Sequence, residues 1–425
     1  MNPPAARPQP AVPAPATPVA VHCLNWQQAL LDLPASATAA QRDAVVASWA
    51  QRCWHDLCAA LPQQQHVVLA HPGQLHEQAR ICMVAQQASG WLYSPLHPAA
   101  QLVAQATEQT TTGQAPRWQT NSSDLLQQHG QRAAAAGFGG AEIGLHAAAA
   151  VFAALDDASA PTSISPSMAA GWQRRHFPLL GAPRAHAFAP MPEAMLQAQH
   201  SHGLYAVMGD ADWTIRCMQL GVKLVQLRIK QAAPEVIDAQ IIRCAQAAHQ
   251  LGALLIINDH WQAAVRHAQH MPGIYGVHLG QDDAAALRED ELDTLQASGL
   301  RLGVSSQTLW QLARALRLRP SYIACGPIHA TATKDIALPP VGENNLRFWA
   351  QILHSPVPEQ AAPALPLVAI GGMNPERAQA AAAAGADSVA VVSNISAAAD
   401  PAQAIAALQQ AIAAGLRARQ EGYTA

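Results

Sequence analysis

The chain has 425 residues, of which 50% are hydrophobic and 12% charged, with a formal net charge of -3. That length suits two domains, or one large domain with an appendage, and the apolar content suffices for a substantial core. The weakly acidic balance, with no polybasic run, argues against a nucleic-acid partner, and no apolar run approaches the ~20 residues of a membrane span.

The opening MNPPAARPQPAVPAPATPVA lacks a basic start followed by an apolar core, so residues 1–20 read as a disordered Pro/Ala tail rather than a signal peptide. Seven scattered cysteines (Cys23, Cys53, Cys58, Cys82, Cys217, Cys244, Cys325) form no C-x-x-C pair, as expected of reduced thiols in a cytoplasmic protein. Residues 21–180 are rich in Ala, Gln and His and show few clear strands. Within them VVLAHPGQLHEQ reads as a strand and turn, and GFGGAEIGLHAAAAVFAALD (Gly137 to Asp156) as a Gly-rich turn before an Ala-rich helix. The expectation is a mainly helical or α/β accessory domain, with Trp26, Trp49 and Trp54 as core residues. A Pro-rich passage over 181–202 reads as a linker.

After it, short apolar runs alternate with amphipathic, Ala-rich segments: GLYAVM, KLVQLRI, LLIIND, GVHLG, LRLGVS, YIACGPI, LVAIGG and SVAVVSNI. Eight strand–helix units in roughly 220 residues match a (β/α)8 TIM barrel over 203–415, with a tail at 416–425; a doubly wound open sheet is the alternative. Gly385-Ala386-Asp387 marks a helix end leading into the last strand. The Pro-containing HSPVPEQAAPALP widens the loop before the seventh.

Chemistry in such a barrel sits at the carboxyl ends of the strands. Strand two ends in Gln226, Arg228 and Lys230, alternate positions that share a face. Strand three ends in Asn258 and Asp259. Strand four runs into Gly280-Gln281-Asp282-Asp283, and strand five ends in Ser305. Strand six leads to Thr331, Thr333 and Lys334, strand seven to Gly371-Gly372, and strand eight to Val392-Ser393. Asp259 with an acid from Asp282/Asp283 offers hard oxygen ligands suited to a partly hydrated Mg²⁺. Arg228, Lys230 and Lys334 add cations around the same mouth, a set that fits a metal-bound diphosphate. Gly371-Gly372 and the strand-eight turn offer backbone N–H groups for a second, metal-free phosphate. Taken singly, Asp259 reads equally well as a helix N-cap, the Gly pair as a tight turn, Arg228 and Lys230 as a solvated rim, and His278 as a satisfied core histidine. Their joint placement at successive strand ends favours a site for two phosphorylated partners.

With QLRIK, IIND, GVHLGQDD, LGVS, GPIHATATK, AIGG and VSNI in this order and spacing, residues 203–415 closely resemble the thiamine-phosphate synthase family. The resemblance implies a TIM barrel that joins a hydroxymethylpyrimidine diphosphate to a thiazole phosphate and releases pyrophosphate by a dissociative route. By position, Gln226, Arg228, Lys230, Asn258, Ser305 and Lys334 would hold the pyrimidine diphosphate, with Arg228, Lys230, Lys334 and Ser305 as the catalytic set. Asp259 and Asp283 would bind Mg²⁺. Thr331, Thr333, Gly372, Val392 and Ser393 would hold the thiazole phosphate. His329-Ala330 stands where an aromatic followed by Pro is frequent, and Asn394 where a small residue is usual.

The expected partners are these two small molecules, with no nucleic acid or membrane, and self-association is left open. Gly137 to Asp156 vaguely resembles the anion-hole turn of ribokinase-like hydroxymethylpyrimidine phosphate kinases, with Glu142 where that fold has a catalytic Asp or Cys; a remnant of such a domain and a plain accessory domain are the two readings. For the whole chain, an isomerase of the thiazole tautomerase type would lack the metal acids and pyrophosphate cations. A non-catalytic binder of thiamine precursors is the third reading.

Overall fold

All eight apolar runs after residue 203 become strands in the computed structural model, and they close into one parallel barrel. The structure describes residues 19–25, 29–30, 33–34, 36–62, 65–71, 80–85, 88–93, 122–135, 140–156, 173–192, 203–331, 340–355 and 364–424. The expected tail up to residue 18, Trp26, Gly137 to Gly139, residues 193–202, Thr333, Lys334 and the insert at 356–363 lie outside the described residues.

The N-terminal part comprises β1 (Val19–Asn25), α1 (Ala39–Ala60), β2 (Gln65–His71), β3 (Arg80–Ala85), β4 (Ala88–Tyr93), α2 (Ser122–Ala135), α3 (Gly140–Asp156) and β5 (Leu179–Leu180). Its strands form a five-stranded sheet in sequence order, β1 and β2 parallel and the rest antiparallel. This is the α/β form of the two expectations for this region, with a sheet flanked by helices. Val68, Ala70, Cys82 and Val84 meet Val46 and Ala50 of α1 on one face, with Trp49 and Trp54 partly buried beside them. The Trp54 indole N–H donates to the His66 carbonyl at 2.9 Å, so both tryptophans are packing residues. The opposite face, through Val67, Leu69, Ile81 and Met83, packs with Leu126 of α2 and with Ile143, Ala147 and Val151 of α3.

The barrel runs β6 (Leu204–Met208), α4 (Ala211–Gln219), β7 (Leu224–Leu227), α5 (Pro234–Leu251), β8 (Leu254–Asn258), α6 (Trp261–Ala268), β9 (Ile274–Leu279), α7 (Gln281–Ala286), α8 (Glu289–Ala297), β10 (Arg301–Ser306) and α9 (Leu309–Arg317). It continues through β11 (Tyr322–Cys325), α10 (Gly342–His354), β12 (Leu367–Ile370), α11 (Pro375–Ala383), β13 (Ser388–Val391), α12 (Ser393–Ser396) and α13 (Pro401–Thr424), whose helix runs on past residue 415. Successive strands pair in parallel and β13 returns to β6. The period-two alternation of a strand separates two apolar layers. Tyr205, Val207, Leu224, Ile256, Tyr322, Ala324, Val368 and Ala390 fill the interior. Leu204, Ala206, Met208, Val225, Leu227, Leu255 and Ile257 face the helices. Each fully buried side chain of this size stabilises by about 1.5–3 kcal/mol.

Helix boundaries follow local chemistry. Asp210, Thr308 and Asn374 accept backbone N–H bonds at the starts of α4, α9 and α11. Pro375 opens α11 and Gly385, at φ 119°, turns the chain into β13.

The passage expected as a linker has a definite seat where it is described. Its carbonyls at Pro190 and Ala189 accept from Arg301 Nε and Ser321 Oγ, residues that start β10 and β11 or just precede them. Phe188 N donates to the Arg319 carbonyl, and Met191, 5% exposed, joins the interior layer at that end. Residues 181–191 are therefore a strap across the amino-terminal end of the barrel, and Met191 plugs the floor. The Arg184 guanidinium, 8% exposed, anchors the strap to Glu289 at 2.7 Å and to Asp293 on α8. The N-terminal sheet rides on the same side: β5 and α3 touch α9, and His146 of α3 stacks on Phe348 of α10.

Candidate active site

Inward-facing positions change character along each strand: apolar near the floor, polar near the carboxyl ends. The result is a cavity of about 1000 Å³ at the mouth of the barrel. Gln226, Arg228, Lys230, Asn258, Asp259, Asp283, Ser305, Thr331, Gly372, Val392 and Ser393 all line it. Of the expected site residues, only Thr333 and Lys334 lie outside the described residues.

The two acids meet through adjacent strand ends. Asp259 adopts φ 61°, a left-handed conformation that Asp tolerates better than most residues. Its N–H donates to the His278 carbonyl, which ties the end of β8 to β9. Asn258 Nδ2 donates to Asp259 Oδ2 at 2.5 Å, so the amide orients the carboxylate beside it. Asp283 lies in the first turn of α7, and its Oδ2 occupies the space that a Cβ at Gly280 would need, at 2.9 Å. Although Asp259 reaches solvent at the mouth, burial and the charge of Asp283 raise its pKa, while Arg228, Asn258 and His260 pull it down. Two carboxylates close enough to repel, both hard oxygen donors, fit a divalent cation whose other ligands are water and substrate. Among the described residues no group of three or more His, Cys, Asp or Glu side chains is placed to hold a metal ion.

Arg228 N donates to the Met208 carbonyl, which holds the backbone of the cationic rim against β6. Below the rim a buried polar chain spans the barrel. Gln226 Nε2 donates to the Tyr205 hydroxyl at 2.7 Å. Tyr205 and Tyr322 share a hydroxyl–hydroxyl bond at 2.9 Å. His278 Nδ1 lies 2.9 Å from the Tyr322 hydroxyl, and its Nε2 lies 2.8 Å from Ser305 Oγ. Burial, with Arg228 nearby, lowers the His278 pKa to about 4, so the imidazole is neutral. One nitrogen then accepts and the other donates. His278 is thus the satisfied core histidine expected of it, and what satisfies it is a site residue.

Across the barrel, β12 ends at Gly371 (φ 105°) and Gly372 (φ 65°). A Cβ at Gly371 would lie 2.6 Å from Pro327 Cα, and one at Gly372 would lie 2.6 Å from the Ala330 carbonyl oxygen. Both glycines are dictated by conformation and by the close passage of the loop after β11. Val392 precedes the short α12, with Ser393 at its start. His329, in that loop, stands 3.8 Å from Glu343, and burial and Arg377 lower its pKa.

Three residues to which the strand-end pattern assigned no role also bear on the site. Gln281, directly before the acids, spends its amide on the Ser305 carbonyl, the Ser306 hydroxyl at 3.0 Å and the Gln311 carbonyl at 3.4 Å. Arg377 donates to the Gly372 carbonyl at 2.7 Å. Tyr322 joins His278 to the rest of the polar chain. The signals were weak: Gln281 is a polar residue inside an acidic helix start, and Tyr322 reads as one more apolar strand residue.

The model of the thiamine monophosphate synthase family matches residues 204–395. The thiamine-phosphate synthase of Proteus mirabilis is 38% identical over 214 residues, 50% of this chain and 88% of that protein. That of Salmonella choleraesuis is 39% identical over 213 residues, 50% of this chain and 93% of its own length. A solved thiamine phosphate pyrophosphorylase from Pyrococcus furiosus aligns over 52% of this chain and 98% of its own, at 22% identity and a TM-score of 0.42. With relatives of this identity covered over most of their length by the barrel half, the chain belongs to the thiamine-phosphate synthase family.

Proposed function

We propose that the barrel condenses 4-amino-2-methyl-5-(diphosphooxymethyl)pyrimidine with 4-methyl-5-(2-phosphooxyethyl)thiazole, forming thiamine phosphate and pyrophosphate. The observation that carries this reading is the division of the cavity lining. Arg228, Asp259, Asp283 and Ser305 lie at the ends of, or just after, the consecutive strands β7 to β10, while Thr331, Gly372 and Ser393 follow β11 to β13. One half suits a metal-bound diphosphate and the other a phosphate held by backbone N–H groups.

In this reading the pyrimidine ring lies over the polar chain, near Gln226 and Ser305. Asp259 and Asp283 would hold Mg²⁺, which when bound would supply neutralising charge to the departing diphosphate. The bond between the methylene carbon and the diphosphate oxygen breaks, and its electron pair leaves with pyrophosphate. Arg228, Lys230 and Lys334 stabilise the negative charge growing there. The electron-rich aminopyrimidine stabilises the methylene cation, and the thiazole nitrogen lone pair then forms the new C–N bond. No protein nucleophile takes part. The chain's contribution is placement of two bound partners, with Gly372, Val392 and Ser393 holding the thiazole phosphate in reach.

The test is a turnover assay of the full-length chain with both substrates and Mg²⁺, following thiamine phosphate and pyrophosphate together. Equal amounts of both, abolished by EDTA, are expected. Folded protein that binds the thiazole phosphate but releases no pyrophosphate would point instead to an isomerase or a binder.

A further inference from the structure

A second, smaller cleft of about 200 Å³ lies behind the active site, where β5 of the N-terminal sheet meets α7, β10 and α9. Its lining includes Leu180, Gln281, Val304, Arg314, Arg317 and Leu318, and no carboxylate is part of it. Arg314 and Arg317 are three residues apart on α9 and so share one helix face. Arg317 reaches Glu289 at 3.7 Å, at the far limit of an ion pair, and that carboxylate is 66% exposed. Arg314 is half-buried and makes no hydrogen bond or ion pair among the described residues. A guanidinium withdrawn partly from water with no counter-ion is an uncompensated charge, and an anion is its natural complement.

Gln281 ties this cleft to the active site. It lines both this cleft and the large cavity. Its amide N–H groups are spent on Ser305, Ser306 and Gln311, while its Oε1 is buried with no partner. Two guanidiniums on one wall of a cleft without carboxylates match a phosphate oxyanion. We propose that the cleft between β5, α7 and α9 is a second anion site that takes a phosphate group, as free hydrogen phosphate or as a small monoester, on Arg314 and Arg317. Its apolar walls at Leu180, Val304 and Leu318 leave room for only a small ester group. An occupant would hold the N-terminal sheet, the acid-bearing helix α7 and the Ser305 strand at one point.

The site is tested by calorimetric titration of the full-length chain with inorganic phosphate and, separately, with glycerol phosphate. Arg228→Gln serves as the variant that weakens anion binding in the large cavity. Phosphate binding that survives Arg228→Gln and weakens at least about tenfold in Arg314→Gln is expected, since one charge-assisted bond is lost. Tighter binding of the ester would assign an organic ligand, and tighter binding of phosphate the free ion; both keep the site. Ala285 of α7 also lines the cleft; Ala285→Met, which fills it without removing charge, should abolish the same binding event and covers the case in which Arg314→Gln fails to fold. Titration curves for Arg314→Gln and Ala285→Met that match the wild-type chain would overturn the proposal. The readout is binding alone, so it stands or falls independently of turnover.

Discussion

Asp259 concentrates several demands in one residue: a left-handed backbone, a carboxylate oriented by Asn258, and a charge raised in cost by burial and by Asp283. Asp259→Asn keeps a residue that tolerates φ 61° and removes the charge. Turnover with Mg²⁺ should fall by about a hundredfold or more, and Mn²⁺ binding followed by electron paramagnetic resonance should weaken in parallel; unchanged turnover would sink the metal assignment. Stability should move the other way. Because the folded pKa of Asp259 is raised, its contribution is fully present below the unfolded carboxylate pKa and lost as pH rises through the folded one. In metal-free buffer at pH 7 the Asn variant should therefore melt no lower than the wild-type chain, with any gap closing as the medium approaches pH 3.8. At this scale the sequence was informative wherever polar residues interrupt buried strands, as at Gln226, Asn258 and Ser305. It was silent where partners lie far apart in the chain. Tyr205 and Tyr322 are 117 residues apart and each sits in an apolar run, so nothing local announces that their hydroxyls meet inside the barrel.

Among elements, the turn after β12 is the tightest fit. Gly372→Ala places a methyl group against the Ala330 carbonyl at φ 65°, which should cost about 1–3 kcal/mol. It should also raise KM for the thiazole phosphate more than for the pyrimidine diphosphate. A uniform loss for both substrates would mean the turn supports the whole barrel and not one phosphate. At the other end of the strands, Asp387 is 2% exposed and joins four elements. It accepts from His354 Nε2 and Leu367 N at 2.8 Å each, and from Arg419 at 3.1 Å. Asp387→Ala leaves the half-buried Arg419 and His354 ends without their acceptor, and unfolding free energy should drop by about 2–3 kcal/mol in a urea titration. These elements were readable because a parallel strand buried on both faces is a continuous apolar run, and Ala-rich helices with Asp, Thr or Asn caps separate such runs. The N-terminal sheet was not, because its strands are short and the pairings of β1 with β2 and of β4 with β5 join distant segments. The strap was misread for a related reason: Pro and Ala around Met191 have a linker's composition, and only the barrel floor gives them a fixed place.

Across the whole molecule, three buried histidines set a common response to acid. His71 in the N-terminal sheet, His146 at the contact with α10 and His278 in the barrel are each held neutral by burial, with pKa values lowered to about 4. Their ordinary value is 6.5, so between pH 6.5 and pH 4 the unfolded chain binds protons that the folded chain refuses. Stability contributed by each is fully present above the unfolded pKa and is lost as pH falls through that window, by up to about 3 kcal/mol per histidine. Asp259 and Glu142, whose pKa values are raised by burial, run the other way and blunt the slope at its acid end. Urea unfolding at intervals from pH 7 to pH 4.5 should show stability falling steadily while the native spectrum persists. His278→Gln should flatten part of that slope and, because the link to Ser305 changes, also lower turnover at pH 7. His146→Leu should flatten a similar part while leaving turnover in place, since His146 faces Phe348 and not the cavity. If stability is level between pH 6.5 and pH 4.5 in the wild-type chain, the three histidines are not held neutral together, and the acid response belongs to the carboxylates instead.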